Sequence, residues 1–205
     1  MDAQKVVTRK RSAKSEERSA SLMSAAIDLF SERDYSSVTI SDIASRAGVA
    51  HSLVYYHFES KDDLFHKAVT NLVETTLSSY REIGHRHGNP VELIESWFAN
   101  NLKLSRALRK LVKIMFDYSG PRAGSPSVEK AIASFYAQEL KVISDNVTRG
   151  IEQGLFHDVD PNRVAAFVST HIDGIFYDSF IRRDDDMSAA MDDLKWGLWS
   201  VLHYK

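Results

Sequence analysis

Apolar residues recur along most of the chain at three- and four-residue spacing, the period of a helix with one buried face. In residues 15–33 the stripe is Leu22, Ala26, Leu29 and Phe30. Ser15 is placed to cap its start, and Glu16 and Glu17 suit the positive end of the helix dipole. Asp34 to Val38 is a short polar break. Thr39, with Asp42 three positions on, predicts a capped second helix that buries Ile40, Ile43, Ala44 and Ala47 and stops at Gly48. A third short helix runs from near Ala50 to Phe58, and Ser60 with Asp63 opens a fourth through Leu64, Phe65, Ala68 and Leu72.

Beyond these the pattern stays helical. Asn89, Pro90 and Glu92 occupy cap, first and third positions of a helix carrying Ile94, Trp97, Phe98 and Asn101. Leu108, Leu111, Val112, Met115 and Phe116 trace another. Residues 120–127 read as a loop. Ile132, Tyr136, Leu140, Ile143, Val147 and Ile151 trace a long helix ended by Gly154; Pro161 opens the next, and residues 187–203 form the last. The expectation is an all-α chain of about nine helices with no strand. It divides into a disordered basic arm (1–14), a small helical domain (15–60) and a larger helical domain (61–205).

Composition narrows the setting. The chain has 205 residues, 43% hydrophobic and 26% charged, and no cysteine. Disulfides and thiolate metal sites are thereby excluded, and a reducing cytoplasm is the simplest home. Residues 1–14 contain no apolar run of a secretory signal, and no stretch reaches membrane-spanning length. The net charge of -2 does not suggest a polyanion partner. The charge is unevenly placed, however: Lys5, Arg9, Lys10, Arg11 and Lys14 crowd the first residues against Asp2 alone. Such an arm can hold phosphate or simply be a solvated tail.

The stretch from Thr39 to Lys61, TISDIASRAGVAHSLVYYHFESK, carries the chemistry. Two short helices meet at Ala47-Gly48-Val49, small Ala44 lets them approach, and Ile43, Val49 and Leu53 close the corner. This is the layout of a helix-turn-helix whose second helix enters the major groove. His51, Ser52, Tyr55, Tyr56 and His57 give that helix a polar and aromatic face able to donate hydrogen bonds to bases or phosphates. Lys61, at the next helix start, suits a phosphate. Glycine turns between helices also occur in enzymes, so geometry alone leaves a packed surface as the rival reading.

The residues resemble those of the TetR family of bacterial repressors. Ala25, Ala26, Leu29, Phe30, Tyr35 and Thr39 carry the resemblance. So do Asp42-Ile43-Ala44, Ala47-Gly48-Val49, Leu53-Val54-Tyr55-Tyr56-His57-Phe58, Ser60-Lys61 and Leu64. Departures are Asp34, where glycine is usual and where Asp is expected to keep the left-handed turn, and Val38, where Thr or Ser is common. The resemblance implies that Thr39, Tyr55, Tyr56, His57 and Lys61 hold phosphates and that Ala50, His51 and Ser52 face base edges. It also implies a two-fold homodimer through the last two helices, with Phe167, Gly174, Tyr177, Trp196 and Trp199 as candidate interface residues. Small molecules bind such proteins among the middle helices; candidates are Trp97, Phe98, Asn101, Phe116, Tyr118, Phe135, Tyr136 and His171, which equally fill an ordinary core.

The remaining signals are weak. His85-Arg86-His87 and His157, Asp158 and Asp160 read as solvated turns rather than metal sites. Residues 184–186 read as a surface loop at the start of the final helix. His171 and Asp173 are ligand contacts or satisfied core polars. No phosphate-cradling glycine loop or nucleophile elbow is present. The expected function is a DNA-binding transcriptional regulator, a repressor released from a palindromic operator by a small-molecule effector. It needs no metal or cofactor and has double-stranded DNA, an effector and a second copy as partners. An effector-independent DNA-binding protein or activator shares the DNA features. A helical small-molecule-binding protein or enzyme is the rival from another class, and it lacks a catalytic constellation.

Overall fold

The computed structural model describes the backbone of residues 3–84, 88–118, 126–183 and 186–204, and side chains for 14–82, 88–117, 126–183 and 186–204. Nine α-helices and one 3-10 turn make up these residues: α1 Ala3–Glu32, the turn Tyr35–Ser37, α2 Ile40–Arg46, α3 His51–His57, α4 Lys61–Gly84, α5 Pro90–Lys103, α6 Ser105–Tyr118, α7 Pro126–Glu152, α8 Pro161–Arg182 and α9 Ser188–Leu202. No described helix is long and apolar enough to cross a membrane. The His85–His87 triplet, the Tyr118 side chain and residues 184 and 185 lie outside the described residues.

The chain forms two compact units, Met1–Asn71 and Leu72–Lys205, the division falling inside α4 rather than at its start. The first unit packs α1 on α2 and α2 on α3. Its core holds Leu22, Leu29, Phe30, Ile43, Val54 and Leu64, all buried. Each fully buried aliphatic contributes about 1.5–3 kcal/mol. Phe30, Tyr35 and Phe65 form an aromatic trio with centroids 5.0–5.3 Å apart. α1 starts at Ala3, not at Ser15. Neither glycine nor proline interrupts residues 3–15, and their Arg, Lys, Gln and Ala are good helix formers, so the helix runs through the residues read as a disordered arm.

In the second unit α8 packs against α7, α6 and α9, while α5 packs against α7. Asn89 caps α5 by accepting from the Val91 N–H at 2.9 Å, and Asp160 caps α8 by accepting from the N–H groups of Asn162 and Arg163. Gly154 takes φ +69° to end α7, letting Leu155 N–H reach back to Gly150 O at 2.8 Å. The buried stripe of α7 is Val128, Phe135, Glu139, Ile143, Asn146, Val147 and Gly150; Ile143 and Val147 are as read in the sequence, while Phe135, Glu139 and Gly150 each stand one position before the residue read there.

Candidate nucleic-acid interface

The corner between α2 and α3 is built from local chemistry. Thr39 and Asp42 form a reciprocal capping box: Asp42 N–H donates to Thr39 Oγ1 at 3.1 Å, and Thr39 N–H donates to Asp42 Oδ2 at 2.9 Å. The Thr39 hydroxyl and backbone hold the Asp42 carboxyl below its ordinary range. At the other end Gly48 adopts φ +66°, and Val49 N–H reaches Ala44 O at 3.0 Å while Gly48 N–H reaches Ser45 O at 3.1 Å. A side chain there would meet no neighbour, so only the backbone angle demands glycine. α2 is tied to α1 by the Arg46 guanidinium, which donates to both Glu32 carboxylate oxygens at 2.8 and 3.0 Å.

α3 presents His51, Ser52, Tyr55 and Tyr56 outward, with Tyr56 74% exposed, and Ala50 exposed at its cap. His51 packs edge-on to Tyr55 with centroids 5.3 Å apart. Val54, not Leu53, is the fully buried anchor of α3; Leu53 is half-buried and lines a surface groove. That groove also holds Ala50, Ser52, Tyr56 and Arg18. Arg18, an exposed cation of α1, was not singled out in the sequence. Its link to α3 depends on helix packing rather than on any local motif.

Three expected positions differ from the sequence reading. Lys61 points into its own protein: its Nζ donates to Tyr35 O and Val38 O, both at 2.9 Å, and lies 4.2 Å from the Tyr35 ring centroid. A half-buried ammonium so engaged is a clamp on the turn before α2. His57 is half-buried, and its Nε2 is enclosed without a hydrogen-bond partner among the described residues. Asp34 is not left-handed but extended, at φ -55° and ψ 141°; its carbonyl accepts from Ser37 N–H, so a right-handed 3-10 turn replaces the expected kink.

In the second unit the ligand candidates do not form one group. Trp97, Phe98, Asn101 and Phe135 are buried, with Tyr136 half-buried beside them. Phe116 is 62% exposed and stacks on Tyr177 at 4.6 Å, and His171 is exposed with its Nδ1 2.7 Å from Phe167 O. His171 lies off the buried stripe of α8, which is Val164, Val168, Ile172 and Phe176. Tyr80, Glu139 and Ser169 were missed by the sequence reading. The signal for Glu139 was its spacing, one helical turn from both Phe135 and Ile143 on the buried face of α7. Among the candidate interface residues, Gly174 and Trp196 are exposed, and Phe167 and Tyr177 are half-buried. Trp199 instead serves its own chain: its Nε1 donates to Glu95 at 3.1 Å and its ring packs on Phe156 and Tyr204.

Residues 22–68 match the family model of bacterial regulatory proteins, tetR family. The HTH-type transcriptional repressor KstR2 of Mycobacterium tuberculosis is 28% identical over 152 residues, covering 74% of this chain and 76% of that protein. The fatty acid degradation regulator FadR from Bacillus halodurans has a similar fold, with a TM-score of 0.74 at 17% identity over 92% of this chain and 97% of that one. The regulator FadR from Bacillus subtilis, solved in complex with stearoyl-CoA, gives a TM-score of 0.70 at 18% identity, covering 89% and 98% of the two chains. Residues 22–68 thus carry the DNA-binding module of bacterial regulatory proteins of the tetR family, and the chain is a DNA-binding transcriptional regulator.

Proposed function

We propose that the protein is a cytoplasmic repressor that binds a palindromic operator as a homodimer and leaves it when a small-molecule effector enters the second unit. The observation that carries this reading is the outward, hydrogen-bonding face of α3, formed by His51, Ser52, Tyr55 and Tyr56 at the corner of a helix-turn-helix. In the proposal Ala50, His51 and Ser52, at the start of α3, meet base edges, while Tyr55 and Tyr56 hold phosphates together with exposed Thr39 and Arg18. Lys61 and His57 support the domain from within.

A stripe on α8 supports the homodimer: exposed His171, Gly174 and Ile181 recur at helical spacing with half-buried Phe167, and Trp196 of α9 is 74% exposed. A two-fold pair would present two identical recognition helices, hence a palindrome. Effector control is supported by the stearoyl-CoA complex of the Bacillus subtilis neighbour. An effector that favours the DNA-incompetent form must bind more weakly when DNA is present, by the same factor.

A mobility-shift titration with DNA flanking the protein's own gene tests the reading. The expected result is a specific complex whose affinity falls steeply with salt and is restored when effector is removed. Binding no tighter than to unrelated DNA contradicts the proposal.

A further inference from the structure

Within the second unit, α7 and α8 bury an acidic pair. Glu139 is 2% exposed, and its Oε2 accepts from the Ser169 hydroxyl at 2.6 Å; Ser169 is its hydrogen-bond partner among the described residues. One turn along α8, the half-buried Asp173 accepts from the Tyr136 hydroxyl at 2.7 Å. The buried Tyr80 hydroxyl of α4 donates to Asn101 Oδ1 at 2.8 Å, and the Asn101 amide in turn donates to Trp97 O. Tyr80 feels the charge of both carboxyls, and its ring lies 6.0 Å from that of Trp97. The Trp97 indole N–H is fully enclosed and has no partner among the described residues.

These facts constrain what the cluster can accept. A buried donor without an acceptor costs about 1–3 kcal/mol, so the Trp97 N–H calls for an oxygen. Among the described residues no Lys, Arg or His charge acts on Glu139 or Asp173; the titratable groups facing them are each other, Tyr80 of α4 and Tyr136 of α7. Burial pushes the Glu139 carboxyl up to about 8, so near neutral pH it carries a proton it can donate. An anion there would meet Asp173 and no counter-charge, and a cation would first have to strip the Glu139 proton. Trp97, Ile143 and Val168 line a narrow apolar cleft. Ile143 lies one turn from Glu139, and Val168 adjoins Ser169.

We propose that the Glu139–Ser169 pair and the Trp97 indole N–H form the polar end of an effector site that selects an uncharged hydroxyl or carbonyl oxygen on an otherwise apolar ligand and rejects an anionic one. This rests on the effector-responsive reading given above. The cleft is too narrow for a water molecule, so ligand entry requires the aromatic side chains around Trp97 to repack.

The test uses the full chain and four eight-carbon probes that differ only in the head group: 1-octanol, 2-octanone, octanoate and octylamine. Binding is followed by calorimetry and by the fluorescence of the tryptophans. Octanol and octanone are expected to bind at least about tenfold tighter than octanoate or octylamine, a difference of about 1.4 kcal/mol. Glu139→Gln, which keeps a neutral donor, should preserve the preference, and Glu139→Leu should abolish it. 2-Octanone, whose oxygen can only accept, should bind more weakly as pH rises through about 8 in the wild type, as Glu139 loses its proton, and its affinity should stay level in Glu139→Gln. A purely structural Glu139 would not give that profile. Tighter binding of octanoate or octylamine, equal binding of all four, no binding of any, or an unchanged preference in Glu139→Leu would overturn the proposal. Release of operator DNA is read separately. Octanol that binds with the expected selectivity but does not release DNA refutes the effector reading while the selectivity of the site stands.

Discussion

Replacing Lys61 with Met separates two roles for this side chain. In the structure its ammonium donates to Tyr35 O and Val38 O at 2.9 Å each and lies over the Tyr35 ring at 4.2 Å, tying the turn before α2 to the start of α4. Each hydrogen bond from a charged donor is worth about 1.5–3 kcal/mol, and the cation–π contact about 0.5–1. The site is only half-buried, so in the variant water recovers part of this for the freed carbonyls. The net loss is about 2 kcal/mol. For a chain of this length that lowers Tm by about 4–8 °C. Thermal unfolding followed by circular dichroism reads this directly, and DNA titrations across a salt series read the other role. The clamp predicts a lower Tm and an unchanged salt slope. Arg18→Ala should do the reverse, leaving Tm unchanged and lowering the slope by about one unit. An unaltered Tm in Lys61→Met together with a slope reduced by one would refute the clamp and make Lys61 a phosphate contact.

Other expectations concern the second unit. A methyl group at Gly150 would stand 2.0 Å from the Phe156 ring, so Gly150→Ala should destabilise by about 1–3 kcal/mol, seen in denaturant unfolding. Glu139 ionises near 4.5 when unfolded and near 8 when folded, so the folded state holds a proton that the unfolded state has lost between these values. Stability should therefore fall as pH rises from about 5 to 8, the buried Asp173 adding in the same direction, and Glu139→Gln should flatten much of that decline in pH-dependent urea melts. Gly174→Glu, on the open stripe of α8, should yield a folded monomer by light scattering where the wild type is a dimer; a dimeric variant would place the interface elsewhere.

Where one residue's own chemistry decides the backbone, the sequence was sufficient. The Thr39–Asp42 box, the Asn89 cap and the positive angles of Gly48 and Gly154 are set within a turn of chain, so spacing alone exposes them. Side-chain direction depends on what packs opposite. Lys61 reads as a free cation until the turn at Tyr35 is brought against it, and Trp199 reads as an interface residue until Glu95 and Phe156 meet it. Ser15 looks like a cap because serine often is one; nothing in the preceding residues breaks the helix, so α1 runs through it. Glu139 was hidden by its charge. A carboxyl on a core stripe is rare, and its tolerance depends on Ser169, thirty residues away on another helix.

The central claim is that the first turn of α3 reads DNA bases. Selection of binding sites from random duplex DNA by the wild type and by His51→Ala tests it most directly. The account predicts a palindromic consensus for the wild type, and for His51→Ala a loss of about 1–3 kcal/mol on that site with changed preference at symmetric positions. A wild type that enriches no palindrome, or a His51→Ala consensus identical to that of the wild type, would contradict it.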